Sequence, residues 1–282
     1  MKNFTAIDLS KLPAPNVIEK LDYETILAEY IADFKAKNPE YETFLESDPA
    51  IILMQTVAYR ELLLRNRINE AAKANMLAYA QGSDLENLSA FYGVQRDEDE
   101  DDDRLRTRTQ LALEGFSTAG PVGAYIFHAL SADPKVKSVS VDSPDPGKVL
   151  VTILSIQGDG TVLEPLRKIV EDKLGEDDIR PLTDFVTVAG ASIVNYQVDA
   201  VITVYPGPSS AVVENEARSA LEKFVADRHE IGRVVPLSGI YDALHIDGVK
   251  KVELISPIAD IITTDYEAPY ATNINITLEI AQ

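Results

Sequence analysis

The chain has 282 residues, 45% of them apolar, which suits two or three compact modules better than one small core. Its 46 acidic and 26 basic residues give a formal net charge of -20, which disfavours nucleic acid and anionic membranes, because phosphate groups bind clustered lysine and arginine. The absence of cysteine excludes disulfides, thiolate metal sites and cysteine nucleophiles. Residues 1–16 lack the apolar core of a signal peptide and no window approaches a membrane helix, so we expect a protein that is soluble when made.

The first third of the chain is predicted to be helical. Apolar residues recur at three- and four-residue spacing from Tyr23 to Phe34, and Asp22 is a candidate cap. A second helix is predicted to begin at Asp48-Pro49, and no further glycine or proline occurs before Gly82. This predicts either one helix of about 33 residues or two helices with a bend. A short third helix is predicted over residues 85–92.

Residues 51–80 carry an unusually broad apolar surface. The candidate partner interface on it consists of Leu53, Val57, Leu64 and Ile68. A helix of this kind is either buried in its own domain or docked against partner helices. Because the first 93 residues offer few other elements that could cover it, both alternatives stay open.

Seven consecutive acidic residues, 97–103, precede three arginines that begin at Arg104. Mutual repulsion predicts a solvated linker, although the position also suits the positive end of a helix dipole. We therefore predict a helical assembly domain over residues 1–96, an acidic linker over 97–103, a middle α+β domain over 104–190 and a C-terminal α+β domain over 191–282.

Helices and strands of mixed order follow the acidic run. Residues 194–204 alternate between apolar and polar side chains, as in a half-buried strand. Helices are predicted at residues 122–130, 162–174, 211–227 and 238–245, and further strands at 136–141, 148–156, 183–189, 249–255 and 273–280. This order predicts an α+β fold with two small modules and mainly antiparallel sheets. The helix–turn–strand–turn pattern of residues 121–144 also returns weakly in residues 236–257, through duplication or through convergence on a common unit.

Residues that could carry chemistry fit no known motif. Counted from Asp97, an EF-hand would need glycine at the position of Asp102 and glutamate at that of Arg108. His128, His229 and His245 match no zinc spacing, and no Gly-x-Ser-x-Gly elbow occurs. The segment 158–160 reads as a turn between strand and helix. We expect no catalytic residues, no metal and no cofactor.

An ordered series of short segments resembles the baseplate J-like family of contractile phage tails and related injection machines. The segments are residues 59–61, 69–72, 77–85, 119–125, 143–160, 180–184, 205–208, 253–257 and 260–262.

That resemblance implies a structural wedge subunit without enzymatic activity. Several wedges would form a ring around a central hub and couple host contact to sheath contraction. It also implies contacts with copies of the chain and with other wedge proteins, and a location in the virion tail baseplate after assembly in the host cytoplasm. The alternative is a tail-associated glycan-binding or glycan-hydrolysing protein, but the chain has no tryptophan for a sugar platform.

Overall fold

The computed structural model describes residues 7–13, 15–41, 45, 47–117, 120–206 and 210–281. Ala119 and the Gly207-Pro208 turn of the segments compared above lie outside the described residues. A short 3-10 helix at Leu9–Lys11 precedes the regular elements. The α-helices are α1 (Tyr23–Lys37), α2 (Pro49–Ala74), α3 (Gly82–Ala90), α4 (Asp102–Gly115), α5 (Val122–Ala132), α6 (Glu164–Leu174), α7 (Ser210–Arg228) and α8 (Leu237–Leu244). The strands are β1 (Val136–Asp145), β2 (Lys148–Ser155), β3 (Phe185–Gly190), β4 (Ser192–Val204), β5 (Val249–Ser256) and β6 (Glu267–Ile280).

The described residues form two compact units. The helical unit contains the residues up to Arg96 together with Glu100–Thr109, and the α+β unit contains Asp97–Asp99 and the chain from Gln110 onward. The α+β fold class predicted from the sequence is confirmed. The predicted division into domains with a linker at residues 97–103 stays a prediction.

Side-chain caps set the starts of the first two helices. The Asp22 carboxylate accepts a hydrogen bond from the Thr25 amide at 2.8 Å, and Asp48 accepts one from the Ala50 amide at 2.9 Å. Helix α2 ends at Ala74, earlier than the predicted stop at Gly82. Asn75 is the C-cap of the helix. Its side-chain amide nitrogen donates to the Ala71 carbonyl at 2.8 Å, while its backbone leaves the helical path.

The middle module consists of α5, β1, β2, α6 and β3. Its sheet has the order β1-β2-β3, in which β2 runs antiparallel to β1 and parallel to β3. Helices α5 and α6 pack against each other and onto β1 and β3. Tyr125 of α5 is buried and donates its hydroxyl hydrogen to Asp184 at 2.7 Å, and burial raises the pKa of that hydroxyl.

The C-terminal module consists of β4, α7, α8, β5 and β6. Its sheet has the order β5-β4-β6, in which β4 runs antiparallel to β5 and parallel to β6. The prediction of mainly antiparallel sheets is therefore wrong, since each sheet has one antiparallel and one parallel pair. The inward residues of β4 alternate with outward ones as predicted and pack on α7 and α8. The fully or nearly fully buried residues of this core include Val198, Ala200, Ile202 and Val204 of β4, Leu221 of α7, and Ile240 and Leu244 of α8.

The two modules share one sheet arrangement but reach it in different chain order. In each, the central strand has an antiparallel neighbour preceded by a helix, and a parallel neighbour at the other edge. The recurring sequence pattern corresponds to α5–β1 and α8–β5. The central strand with its following helix comes after this unit in the middle module and before it in the C-terminal module.

Candidate partner interface

Helix α2 has one face packed inside the helical unit. Ile51, Met54 and Ala58 are buried, as is Ile26 of α1, which packs against α2. The buried Asn69 amide accepts from the Glu19 backbone nitrogen at 3.0 Å and donates to the Glu19 oxygen at 2.9 Å. These contacts fix which side of α2 is available to the core.

Polar contacts reinforce the same packed side. Arg65 donates to Glu19 at 2.7 Å and to Glu61 at 3.3 Å. Glu61 also accepts from the Tyr30 hydroxyl of α1, and this hydrogen bond raises the pKa of Tyr30 because the phenolate could not donate it. The rotation of α2 is therefore set by both apolar and charged neighbours.

The four residues predicted as a partner interface lie together on another face of α2. Their spacing of four, seven and four residues returns to nearly the same angle around the helix. They are exposed in this chain: Leu53 by 63%, Val57 by 39%, Leu64 by 63% and Ile68 by 56%. We call these four residues the α2 stripe. The structure thus brings all four together on one exposed face of α2.

Three further apolar residues on α2 are exposed beside the stripe. They are Ile52, Tyr59 and Leu63. Sequence reasoning did not place Tyr59 in the interface, although its spacing of seven from Ile52 and four from Leu63 was a readable helical signal. Arg60 and Arg67 are exposed on the same side of the helix. The accessible face is broad and apolar, with basic residues inside it.

The acidic run is not solvated along its whole length, so that expectation is wrong at Glu100. The side chain of Glu100 is 0% exposed and accepts a hydrogen bond from Arg108 at 2.7 Å, with Arg104 at 3.3 Å. Two guanidinium groups nearby offset the cost of burying the carboxylate. Arginines one and two helical turns after Glu100 thus compensate the repulsion that was predicted between the acidic neighbours.

Asp102 marks the start of α4 and confirms the expected place of the run at the positive end of a helix dipole. Its carboxylate accepts from the Gly82 amide at 3.0 Å and from Arg96 at 2.6 Å, and these two hydrogen bonds lower its pKa. Arg106 donates to the carbonyls of Leu77 and Ala80 at 2.8 and 2.7 Å. The run and its arginines therefore join α4 to the segment between α2 and α3.

The described residues hold no cluster of three or more acidic or histidine side chains that could bind a metal ion. Among them, no helix is long and apolar enough to cross a membrane. His128 contacts the Gly115 carbonyl at 3.2 Å, whereas His229 packs near Tyr270 in the C-terminal module. His245 lies exposed after α8. The three histidines occupy separate places.

Comparisons with known proteins cover most of the chain. The baseplate J-like N-terminal domain matches residues 46–100, the baseplate J-like central domain matches 117–190 and the baseplate J-like protein C-terminal domain matches 196–277. Baseplate protein J of Escherichia phage P2 is 42% identical over 292 aligned positions, which cover 96% of this chain and 97% of that protein.

A solved structure, the six-fold symmetrised cryo-EM structure of the anti-feeding prophage baseplate, is more distant. It has a TM-score of 0.30 and 10% identity over 89% of this chain, which spans about half (53%) of that protein's chain. The three consecutive domain matches and the identity to the phage P2 protein show that this chain belongs to the baseplate J-like family.

Proposed function

We propose that the protein is a structural wedge subunit of the baseplate of a contractile phage tail or a phage-like particle. It assembles with other wedge proteins and with copies of itself into a ring around the central hub, and the ring couples host contact to sheath contraction. The observation that supports this most strongly is the family match, which extends through all three parts of the chain at 42% identity to a phage baseplate protein.

The α2 stripe is the surface that we assign to assembly. One face of α2 packs against α1, and the exposed stripe lies on another face, where we place the contact with another polypeptide. Full burial of one leucine or isoleucine side chain contributes roughly 1.5–3 kcal/mol. Four apolar residues on one helix face can supply a stable contact, and this contact needs no catalytic or cofactor chemistry. The role is therefore mechanical, in the virion tail baseplate after assembly in the host cytoplasm.

The α+β unit supplies the rigid part of the subunit in this proposal. The inward residues of β4 and of helices α7 and α8 form a buried apolar core, and close packing of this kind gives the C-terminal module the rigidity that transmission of force requires. We assign no enzymatic activity. No feature of the described residues favours the alternative of a glycan-binding or glycan-hydrolysing protein.

Replacing Val57 and Leu64 by glutamate tests the assembly role. We expect the double variant to keep its helicity but to fail to join baseplates, because an unpaired carboxylate in a dry interface costs several kcal/mol. Circular dichroism of the purified chain and co-purification with the neighbouring tail proteins measure the two properties.

The matched control adds the same two charges to α2 away from the stripe, as Gln55→Glu with Asn66→Glu. The control is expected to assemble like the unchanged protein. Assembly of the Val57/Leu64 variant at the normal level would show that the stripe is not the contact. Loss of its helicity would show that these side chains serve the fold instead.

A further inference from the structure

The middle and C-terminal modules meet along β1 in a seam with few strong hydrogen bonds. Lys137 of β1 reaches the Ala226 carbonyl at 3.5 Å, and the Ile231 amide reaches the Ser138 hydroxyl at 3.4 Å. Both distances lie beyond the usual 2.9–3.0 Å for such bonds. Tyr266 also donates to Asp142 across the seam. Two of these three polar contacts are therefore long, and all three involve residues of β1.

His229 lies in this seam, between Tyr270 of β6 and Gly160 of the middle module. It follows α7, is only 8% exposed and stacks edge-on with Tyr270 of β6, with ring centroids 5.2 Å apart. Its Nε2 atom faces Gly160 of the middle module, so closely that a Cβ added at Gly160 would lie 2.8 Å from it. This buried Nε2 has no hydrogen-bond partner among the described residues. A buried ring nitrogen without a partner is tolerated only while the imidazole is neutral.

The charged groups around His229 give a proton little compensation. Burial lowers the pKa of His229, Lys137 of β1 lowers it further, and Asp159, in the turn after β2, opposes both effects. Burial lowers the pKa of Lys137, and Glu230 and Asp227 on the C-terminal side oppose that shift. Arg228 stacks on Phe224. A protonated His229 would therefore place a second positive charge beside Lys137 in a desolvated site.

We infer that His229 is an acid-sensitive lock, whose neutral imidazole holds the two modules in one orientation and whose protonation releases them while each module stays folded. The C-terminal core consists mainly of apolar residues of β4, α7, α8, β5 and β6, whereas His229 follows α7 and faces Gly160 of the middle module. Release therefore changes the relative orientation of two folded pieces and does not require unfolding of either.

The sign of the pH effect follows from the direction of the pKa shift. Burial, followed by the charge of Lys137, lowers the pKa of His229 from 6.5 to about 4. The closed seam thus binds protons less well than the open one, so its stability is complete above pH 6.5 and is lost as pH falls towards 4. In the open form the imidazole is exposed and binds a proton at its ordinary pKa. The equilibrium constant for opening of the seam should therefore be about 100-fold higher at pH 4 than at neutral pH.

Residue-resolved hydrogen exchange of the full chain measures that opening. After correction for the intrinsic rate, the Ile231 amide, which crosses the seam, should lose about 100-fold in protection between pH 7.5 and 4. The Ile202 amide, inside the C-terminal core, should keep its protection. His229→Gln, a neutral side chain that cannot be protonated, should abolish the pH dependence at Ile231, whereas His245→Gln at the exposed histidine should not.

A steric test at neutral pH complements the acid test. Gly160→Ala places a methyl group against His229 and Leu154 and should lower protection at Ile231 without any change in pH. Gly158→Ala is the matched control, because Gly158 also has a positive φ but has open space around it. The control separates backbone strain from displacement of the imidazole.

Three results would overturn the lock. The first is an imidazole titration of His229, followed by NMR, with a midpoint near 6.5. The second is an equal acid-induced loss of protection at Ile231 in His229→Gln and in the unchanged protein. The third is a parallel loss at Ile202, which would mean that the module unfolds. Equal protection at Ile231 in Gly160→Ala and Gly158→Ala would also overturn the lock, because the imidazole would then not hold the seam at Gly160.

Discussion

The helical unit and the C-terminal module place similar apolar residues in opposite environments. Leu221 and Ile202 of the C-terminal module are completely buried by their own chain, whereas Leu53 and Leu64 of α2 remain exposed. The difference arises from the elements available to cover them. Sheet β5-β4-β6 is covered by α7 and α8, whereas α1 is the one described helix with extensive contacts to α2. An exposed leucine on α2 is therefore available for binding, while a leucine on α7 contributes to stability.

Removal of the buried carboxylate at Glu100 should produce the largest effect on the isolated chain. Glu100→Ala leaves Arg104 and Arg108 in a buried site without this partner, which we expect to lower the free energy of unfolding of the helical unit by about 3–5 kcal/mol. Urea denaturation followed by circular dichroism measures the loss. Glu98→Ala, an exposed position in the same acidic run, should have almost no effect. Equal effects of the two variants would mean that the run acts as diffuse charge.

A pair of leucine truncations tests the contrast between the units directly. Leu221→Ala should lower the free energy of unfolding by about 3 kcal/mol, because it leaves a cavity in a dry core. Leu64→Ala should change the stability of the isolated chain by less than about 0.5 kcal/mol but weaken binding to the baseplate. Thermal melts and co-purification distinguish the two. A large loss of stability in Leu64→Ala would contradict the assignment of the stripe.

Removal of divalent cations should have the smallest effect. We expect the melting temperature to be the same with and without EDTA, because the acidic residues Glu100 and Asp102 already accept hydrogen bonds from arginine and backbone groups. A fall in melting temperature that calcium or magnesium reverses would show a structural ion in the acidic run.

The sequence was most informative where structure is local. The caps at Asp22 and Asp48 were readable because the hydrogen bonds that form them span only two or three residues. The alternation along β4 likewise identified a half-buried strand. The α2 stripe could be predicted because helical spacing alone places its residues on one face, although that spacing does not name the partner.

Features that depend on distant parts of the chain were not predicted. The parallel pairing of β4 with β6 joins Ser192 to Glu267, and no local pattern distinguishes it from an antiparallel pair. Burial of Glu100 was missed because a run of like charges predicts solvation, although arginines four and eight residues later were a visible signal. His229 gave no signal at all, because its environment is assembled from two modules.

The different chain order of the two modules has a consequence during synthesis on the ribosome. The middle module can begin as a hairpin, because β1 and β2 are consecutive and Asp145 already pairs with Lys148. Strand β4 of the C-terminal module emerges before both of its neighbours and stays unpaired until β5 and β6 have been translated. Non-local pairing of this kind slows folding and leaves an apolar strand open to aggregation. The later of these two modules thus depends more on strands translated after its own central strand, so a product truncated before β5 would expose β4 instead of forming a partial subunit.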